Sequence, residues 1–360
     1  MSDILLGRSV LSVFLSLAAA ACIYLILLNR FLLLLEDGTT KTIVLRGSMF
    51  AIGFGAVAFG WRAAASAWML LPIGILAAVL AGEAHRLIVR RRCAGAPPVE
   101  AENVRQGWLS PITTTDLAVL RYELAVPGWH GHDLRIAHVS DLHLNGDLSD
   151  AYYGAAMARV AQAQPDLLIY TGDLVTKVKY APALPALLSQ ARGRLATLAI
   201  LGNHDYWVGA EQVAEAVRSA GVTLLGDACV RLPIDGGELW VCGDEGPWSA
   251  CGWQPPRVTD GALGLMLTHT PDNVYRLSGL GYAAIFAGHY HAGQIRLPGL
   301  GPLVVPSRYG RRLDHGHFVV DGTHLFVTAG IGSAAPPRRI YCQPDIFIVD
   351  VRGDHGARDG

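Results

Sequence analysis

Charge is what this sequence has little of. Only 16% of its 360 residues are Asp, Glu, Lys or Arg, and their formal sum is -1. A balance so close to zero gives no long-range field to hold the chain on a polyanion. Nucleic acid is therefore not an expected partner, and any basic recognition must be local. Cysteine is sparse as well: Cys22, Cys93, Cys229, Cys242, Cys251 and Cys342 show no CxxC spacing. That pattern excludes a dense disulfide framework and fits reduced thiols in a cytosolic compartment. There is no internal repeat and no low-complexity tract.

Apolar residues are in excess. They make up 51% of the chain, and the mean hydropathy of +0.32 is above what a soluble enzyme of this size needs, with the excess at the N-terminus. Val10 to Leu28 carries no charge, and about 19 residues at 1.5 Å each cross a hydrocarbon core. The run Ala18 to Cys22 imitates a signal-peptide cleavage site, but the apolar stretch continues past it. Further apolar stretches run from Gly47 to Trp61 and from Ala63 to Ala81, with a corner at Trp61-Arg62. The expectation is three transmembrane helices in a multi-pass bacterial membrane protein. The count falls to two if the short second stretch is re-entrant or interfacial.

Arg86, Arg90, Arg91 and Arg92 follow the third stretch, and Arg30, Lys41 and Arg46 lie between the first two. The positive-inside rule places both groups, and all that follows Arg86, in the cytoplasm, with the N-terminus outside. These arginines read as topogenic rather than as a headgroup site. The expected organisation is a transmembrane region over 1–92, a linker over 93–115 marked by Pro97-Pro98, and one catalytic domain over 116–360.

Within that domain apolar runs alternate with helical segments. Strands are expected at Leu117 to Leu124, Leu134 to Val139, Leu167 to Tyr170, Leu195 to Leu201, Leu263 to Leu267 and Tyr282 to Phe286. Helices are expected at Ser149 to Gln164 and Ala210 to Ala220, and Gly293 to Val351 reads as strand-rich. The fold class is α/β, with layered sheets flanked by helices and preceded by the helical membrane region.

Five short motifs sit just beyond the C-terminal ends of apolar strands, where open α/β sheets gather their active sites. They are Ser140-Asp141-Leu142-His143, Thr171-Gly172-Asp173, Gly202-Asn203-His204-Asp205, Thr268-His269-Thr270-Pro271-Asp272 and Gly288-His289-Tyr290-His291. Carboxylates, imidazoles and one amide oxygen form a mixed nitrogen and oxygen set that suits Mn, Fe, Co or Zn. Each glycine before a candidate ligand lets the backbone turn and lets a phosphate come close.

The ordered set D-x-H, G-D, G-N-H-D, H and G-H-x-H resembles the calcineurin-like metallophosphoesterase superfamily over roughly Leu134 to Val351. The tail Gly293-Gln294-Ile295-Arg296-Leu297-Pro298, with Pro306 to Gly310, resembles its bacterial membrane-associated branch. Tyr290-His291-Ala292 departs from that branch and bears on pocket shape rather than metal binding. The resemblance implies a layered β-sandwich and two divalent metal ions. Asp141, His143 and His291 would hold one ion, Asn203, His269 and His289 the other, with Asp173 bridging. A bridging hydroxide would attack phosphorus. His204 would contact the phosphoryl group and protonate the leaving oxygen, with Asp205 orienting its ring.

The remaining histidines, arginines and tryptophans read differently. His130, His132 and His138 read as structural, and His315 and His317 as loop residues. Arg296, Arg308, Arg311 and Arg312 read equally as substrate-phosphate contacts or as solvated surface, and Trp248 and Trp253 as core. The expected function is hydrolysis of a phosphoester or pyrophosphate bond on a phosphorylated small-molecule or lipid-linked substrate beside membrane lipids. A UDP-diacylglucosamine-type pyrophosphate hydrolase, a general phosphodiesterase and a metal-free binding scaffold are the alternatives. A transport module is disfavoured because the spans hold no mid-membrane acidic residue.

Overall fold

The computed structural model describes residues 2–64, 66–105, 110–259, 261–334 and 337–353. The chain divides into two compact units: Met1–Arg92 with Leu303–Arg312, and Cys93–Pro302 with Leu313–Gly360.

The first unit is built on α1 (Ser2–Arg30), α2 (Thr39–Ala63) and α3 (Leu70–Cys93). All three helices are long and apolar enough to cross a membrane. Their large apolar side chains face outward rather than into a core: Phe14 is 66% exposed, Phe54 80% and Leu80 71%. That is the arrangement of a helix whose solvent is lipid. α1 and α2 meet through small residues. Ser12 and Ser16 are buried, and a Cβ added at Gly60 would press on the Val13 backbone.

The helix bounds differ from those expected. The second span begins at Thr39, not Gly47, and the third ends at Cys93, not Ala81. Arg62 lies in the last turn of α2 rather than at a corner; the turn is formed around Ser66, whose side chain accepts a hydrogen bond from the Trp68 amide. The apolar run marks only the lipid-buried part of a helix. Backbone hydrogen bonding continues into the polar turns beyond it, where Lys and Arg side chains reach water.

Among the described residues the second unit holds fifteen strands in chain order: β1 (Glu100–Glu102), β2 (Ala118–Ala125), β3 (Leu134–Val139), β4 (Leu167–Thr171), β5 (Ala196–Ile200), β6 (Thr223–Leu224), β7 (Cys229–Ile234), β8 (Gly237–Asp244), β9 (Ala262–Thr268), β10 (Ala284–Ala287), β11 (Arg296–Leu297), β12 (Gly301–Pro302), β13 (Gly316–Val320), β14 (Thr323–Val327) and β15 (Asp345–Arg352). They form a seven-stranded sheet ordered β1-β2-β15-β3-β4-β5-β6, a six-stranded sheet ordered β13-β14-β10-β9-β8-β7, and a two-stranded ribbon, β11-β12. Helices α4 (Asp150–Gln162), α5 (Leu184–Leu188), α6 (Asn203–Ser219) and α7 (Val274–Leu277) complete the unit.

Alternation along the strands explains the layers. On β3, Ile136 enters the cluster between the sheets with Ile169, Leu198, Leu265 and Phe286. Its neighbours Ala137 and Val139 point the other way, to Met157 of α4 and Val213 and Val217 of α6. The strand is thus buried on both faces and reads as a nearly continuous apolar run. This is the expected α/β architecture of layered sheets flanked by helices, built on two mixed sheets.

Four features differ from the expectations. The start of the expected linker belongs to the sheets: Glu100–Glu102 pairs with β2, and Ala94 bridges Phe318. The middle of that linker, residues 106–109, lies outside the described residues. α6 begins at Asn203, inside the third motif, and bends at Gly209 (φ 137°). β7 and β8 form a hairpin that periodicity alone did not reveal. Its register sets Cys229 opposite Cys242, and the two form a disulfide with Cα atoms 4.0 Å apart. The expectation of uniformly reduced thiols is corrected there, because antiparallel pairing places the sulfurs within bonding reach.

Candidate metal centre

The five motifs leave the ends of β3, β4 and β5 in one sheet and of β9 and β10 in the other. Parallel pairing of β3 with β4 and β4 with β5, and of β9 with β10, brings these ends to one edge of the sandwich. There Asp141, His143, Asp173, Asn203, His269, His289 and His291 are all buried, and His204 is half-buried. Metal-capable atoms fall within 4.8 Å of one another in three groups: Asp141, His143 and His291; His143, Asp173 and His204; and Asp173, His269 and His289. Asn203 joins the last group, its Oδ1 lying 3.1 Å from His269 Nε2.

The backbone here is strained. Asp141 (φ 53°), His143 (47°), Asp173 (54°), His289 (64°) and His291 (50°) all lie in the left-handed region. Non-glycine residues there cost on the order of 1–3 kcal/mol each and persist where surrounding structure enforces them, commonly at functional sites. The enforcement is visible. The His289 amide donates to the Asp141 carboxylate (3.0 Å), the Asp141 amide to the Gly172 carbonyl (3.0 Å) and the His143 amide to the Asp173 carbonyl (2.9 Å). Glycines fit the crowding: a Cβ at Gly202 would strike Asp173, and one at Gly288 would strike Ser140 and Asp141. Close approach of these loops to each other is thus sufficient reason for those glycines.

Protonation follows from burial and neighbours. Burial pushes His143 down to about 3 and holds His289 and His291 well below the ordinary imidazole value. These rings therefore present neutral nitrogen lone pairs, as metal ligands must. His269 goes the other way: burial lowers it, but the charge of Asp173, 3.2 Å away, outweighs this and raises it to about 9. Asp173 would be raised by burial, yet the neighbouring His269 and His204 hold it well below the carboxylate range. Asp141 is pushed up to about 7, chiefly by burial.

A divalent cation suits this environment. His143 Nε2 and His291 Nε2 are 2.9 Å apart, His289 Nδ1 and His269 Nε2 are 3.2 Å apart, and His289 Nε2 is buried with no hydrogen-bond partner. Nitrogens gathered face to face around carboxylates, one of them orphaned, lack a shared positive charge at their centre.

His204 donates its amide to Asp173 Oδ1 (2.8 Å), and its ring lies 4.7 Å from that of His143 and 4.9 Å from that of Trp207. The Asp205 carboxylate accepts from the amides of Leu174 (2.9 Å), Val175 (3.0 Å) and Gly202 (2.9 Å). It thereby braces the second and third motifs against each other.

Several other assignments change. Trp248, expected in the core, is half-buried with its ring 5.4 Å from His269 and 5.2 Å from His289. His317 is not a loop residue but a buried member of β13, stacked on Phe326 at 4.5 Å; His315 bonds Asp345. Arg296 pairs with Asp314 (2.8 Å) rather than standing open to substrate. His138 is structural, its Nε2 2.8 Å from Thr171 Oγ1. Tyr290 is buried and bonds Asp272.

Arg339, which lies in none of the five motifs, is fully buried. Its guanidinium donates to the carbonyls of Ala329 (2.7 Å), Gly330 (3.1 Å), Gly332 and His291 (3.4 Å). The segment it holds lies against Asp141, since the Gly332 amide donates to the Asp141 carbonyl (2.7 Å). Arg339 therefore fixes the backbone beside Asp141 and His291 at once. No local motif announces such a residue.

Residues 134–293 match the calcineurin-like phosphoesterase family. Over 239 residues, 62% of this chain and 81% of that protein, the sequence is 26% identical to the uncharacterized metallophosphoesterase YkuE of Bacillus subtilis. It is also 26% identical over 239 residues, 65% of this chain and 87% of that protein, to the phosphodiesterase YaeI of Escherichia coli. A shorter stretch of 103 residues, 28% of this chain and 31% of the relative, is 36% identical to the UDP-2,3-diacylglucosamine pyrophosphatase LpxG of Chlamydia trachomatis.

Proposed function

We propose that this chain, whose residues 134–293 match the calcineurin-like phosphoesterase family, uses two divalent cations to hydrolyse a phosphoester or pyrophosphate bond of an amphiphilic or lipid-linked substrate. The observation that carries this reading is the convergence of buried imidazoles and carboxylates from five strand ends on one point. Asp141, His143 and His291 would hold one cation and Asn203, His269 and His289 the other, with Asp173 shared between them. Two such cations, when bound, supply Lewis acidity toward a phosphoryl oxygen and bring the pKa of water toward neutrality.

The chain's own residues do the rest. A ring nitrogen of His204 passes a proton to the leaving oxygen, as a general acid placed beside the cluster can. Asp205 and Arg339 keep the loops from drifting, so that the amide oxygen of Asn203 and the ring of His291 stay aimed inward. Trp248 and Trp207 shield the histidines from water, which strengthens each charge interaction inside.

The three apolar helices support a substrate at the bilayer, because tethering the site there raises the effective concentration of an amphiphile. Relatives named for a phosphodiesterase and for UDP-2,3-diacylglucosamine pyrophosphate mark the two substrate classes to be compared. The test is a substrate panel with Mn, Zn and Mg, run on the wild type, Asp173→Asn and His204→Ala in detergent and in liposomes. Undiminished turnover in both variants would sink the mechanism. Equal preference in detergent and liposomes would remove only the membrane substrate.

We place the catalytic unit in the cytoplasm, on the strength of Arg86, Arg90, Arg91 and Arg92 in the last turns of the third span and the positive-inside rule. A second reading, on the oxidising side of the membrane, is favoured by the Cys229–Cys242 bond, since disulfides are rare in the cytosol. A C-terminal green fluorescent protein fusion that folds and fluoresces supports the first. A dark fusion, with an active alkaline phosphatase fusion at the same point, supports the second.

A further inference from the structure

β8 also ends at the edge where the metal cluster lies, although it carries none of the five motifs. It runs parallel to β9 with Asp244 opposite Thr268, so the next residue, Glu245, follows at the level of His269. Glu245 is buried. Its Oε1 accepts from the Leu201 amide (2.7 Å) and its Oε2 from the Tyr206 hydroxyl. Leu201 and Tyr206 are the residues on either side of Gly202-Asn203-His204-Asp205. One carboxylate thus holds both ends of the third motif.

These two bonds cross the sandwich. The third motif leaves β5 in the seven-stranded sheet, whereas Glu245 follows β8 in the six-stranded one. Asp205 ties the third motif to the second, within one sheet; Glu245 ties it to the other. That is the direction in which Asn203 needs aim, because His269 and His289 come from β9 and β10 of the six-stranded sheet. Glu245 is itself held in place. Its amide donates to Asp227 Oδ1 (2.8 Å), and its carbonyl accepts from the amide of Trp248 (3.1 Å), the residue whose ring lies against His269 and His289.

The amide of Leu201 and the phenol of Tyr206 are neutral donors, and a buried carboxylate so met adds little to stability. What it fixes is geometry. A displacement of about 1 Å at a group that must point at a reacting centre costs on the order of 100-fold in rate.

We infer that Glu245 is a positioning residue of this site: by clamping Leu201 and Tyr206 it sets the Asn203 amide oxygen and the His204 ring against the groups delivered by the opposite sheet. The inference rests on the two-cation reading above. Its test uses the full chain in detergent, with Mn as the probe cation, and compares the wild type with Glu245→Ala and Glu245→Gln. Calorimetric titration of the metal-free chain reads the cation sites without turnover, and Glu245→Ala should weaken Mn binding on the order of tenfold. At saturating Mn, the ratio of alkyl to nitrophenyl phosphodiester turnover should fall by a similar factor, because the alkyl leaving group is the one that needs the His204 proton. Loosening of the fold alone lowers turnover of both esters together and leaves their ratio where it was. Glu245→Gln, whose amide can accept from Leu201 and donate to Tyr206, should restore most of the affinity and of the ratio. In the His204→Ala background Glu245→Ala should leave the ratio unchanged, since no ring remains to be aimed. An unchanged ratio or an unchanged Mn affinity in Glu245→Ala overturns the inference, as does a Gln variant no better than Ala. Should Glu245→Ala unfold, Tyr206→Phe, which removes a single anchor, is read in its place against the same two quantities, with a change of about fivefold. A wild type that binds no Mn or cleaves neither ester overturns the two-cation reading itself. A wild type that does both, beside an unaltered Glu245→Ala, overturns only the role of Glu245.

Discussion

The two units of this chain hide opposite kinds of surface. In α1–α3 large apolar side chains face out, and small serines line the contact between helices. In the β-sandwich phenylalanines such as Phe286, Phe326 and Phe347 are fully buried, and so are the carboxylates and imidazoles at the strand ends. Lipid is as apolar as a leucine side chain, so helices long and apolar enough to cross a membrane would gain little there from matching one side chain to another. The sandwich faces water and gains from every close fit. Substitution should therefore be tolerated on the helices and punished in the sandwich, most of all where buried charge meets strained backbone.

The largest effect is expected at Asp173. Replacing it with Asn removes the carboxylate placed between both histidine groups, and turnover should fall about 10³-fold or more, with metal content per chain reduced by elemental analysis. Retained activity would remove the contrast at its strongest point. Next, Phe286→Ala should lower stability by about 3–5 kcal/mol, measured by denaturant unfolding of the detergent-solubilised chain. Phe54→Ala, at a side chain just as large, should change it by less than about 0.5 kcal/mol. Similar losses at the two positions would mean that the outer helix face is packed rather than lipid-facing.

His204→Ala should slow an alkyl phosphodiester about 10²–10³-fold while sparing a nitrophenyl ester, whose leaving group needs no proton. Equal slowing of both would argue against proton donation. At Arg339 the comparison narrows to adjacent residues. Arg339→Met leaves buried carbonyls without donors and should cost roughly 3 kcal/mol, whereas exposed Arg338 should accept Met with no measurable change in unfolding temperature.

The smallest effect is a slope. His269, raised to about 9 beside Asp173, and Asp141, raised to about 7 by burial, bind protons in the metal-free chain. A cation must displace those protons, so affinity should rise with pH and not fall. The gradient should be about two decades per pH unit below 7, about one between 7 and 9, and flat above. Calorimetry in buffers of different ionisation enthalpy reads the released protons directly, and a pH-independent affinity contradicts the assignment.

How much of this could be read from sequence depended on how local each signal was. The strand ends were legible because β3, β4, β5, β9 and β10 are short apolar runs, each closed by a motif with its own chemistry. The hairpin of β7 and β8 was legible in principle. Cys229 and Cys242 lie symmetrically about Asp235-Gly236, a strong turn signal, but Pro233 weakened the strand pattern. The structure explains the proline, since β7 is an edge strand, where a missing N–H is tolerated. Trp248 and Arg339 were not legible, because their roles rest on contacts with residues far away in sequence.

The discontinuity of the helical unit sets a clock on its making. Its last piece, Leu303–Arg312, is separated from Arg92 by the 210 residues 93–302. At about 5–20 residues per second, a ribosome needs roughly 10–40 seconds to cover that interval. For all that time the arginine-bearing ends of α1 and α3 stand unfinished. A truncated chain begun at Cys93 would keep the segment and lose its seat, carrying Arg308, Arg311 and Arg312 into water as a loose basic strap. Such a fragment should be stickier toward anionic surfaces than the whole protein.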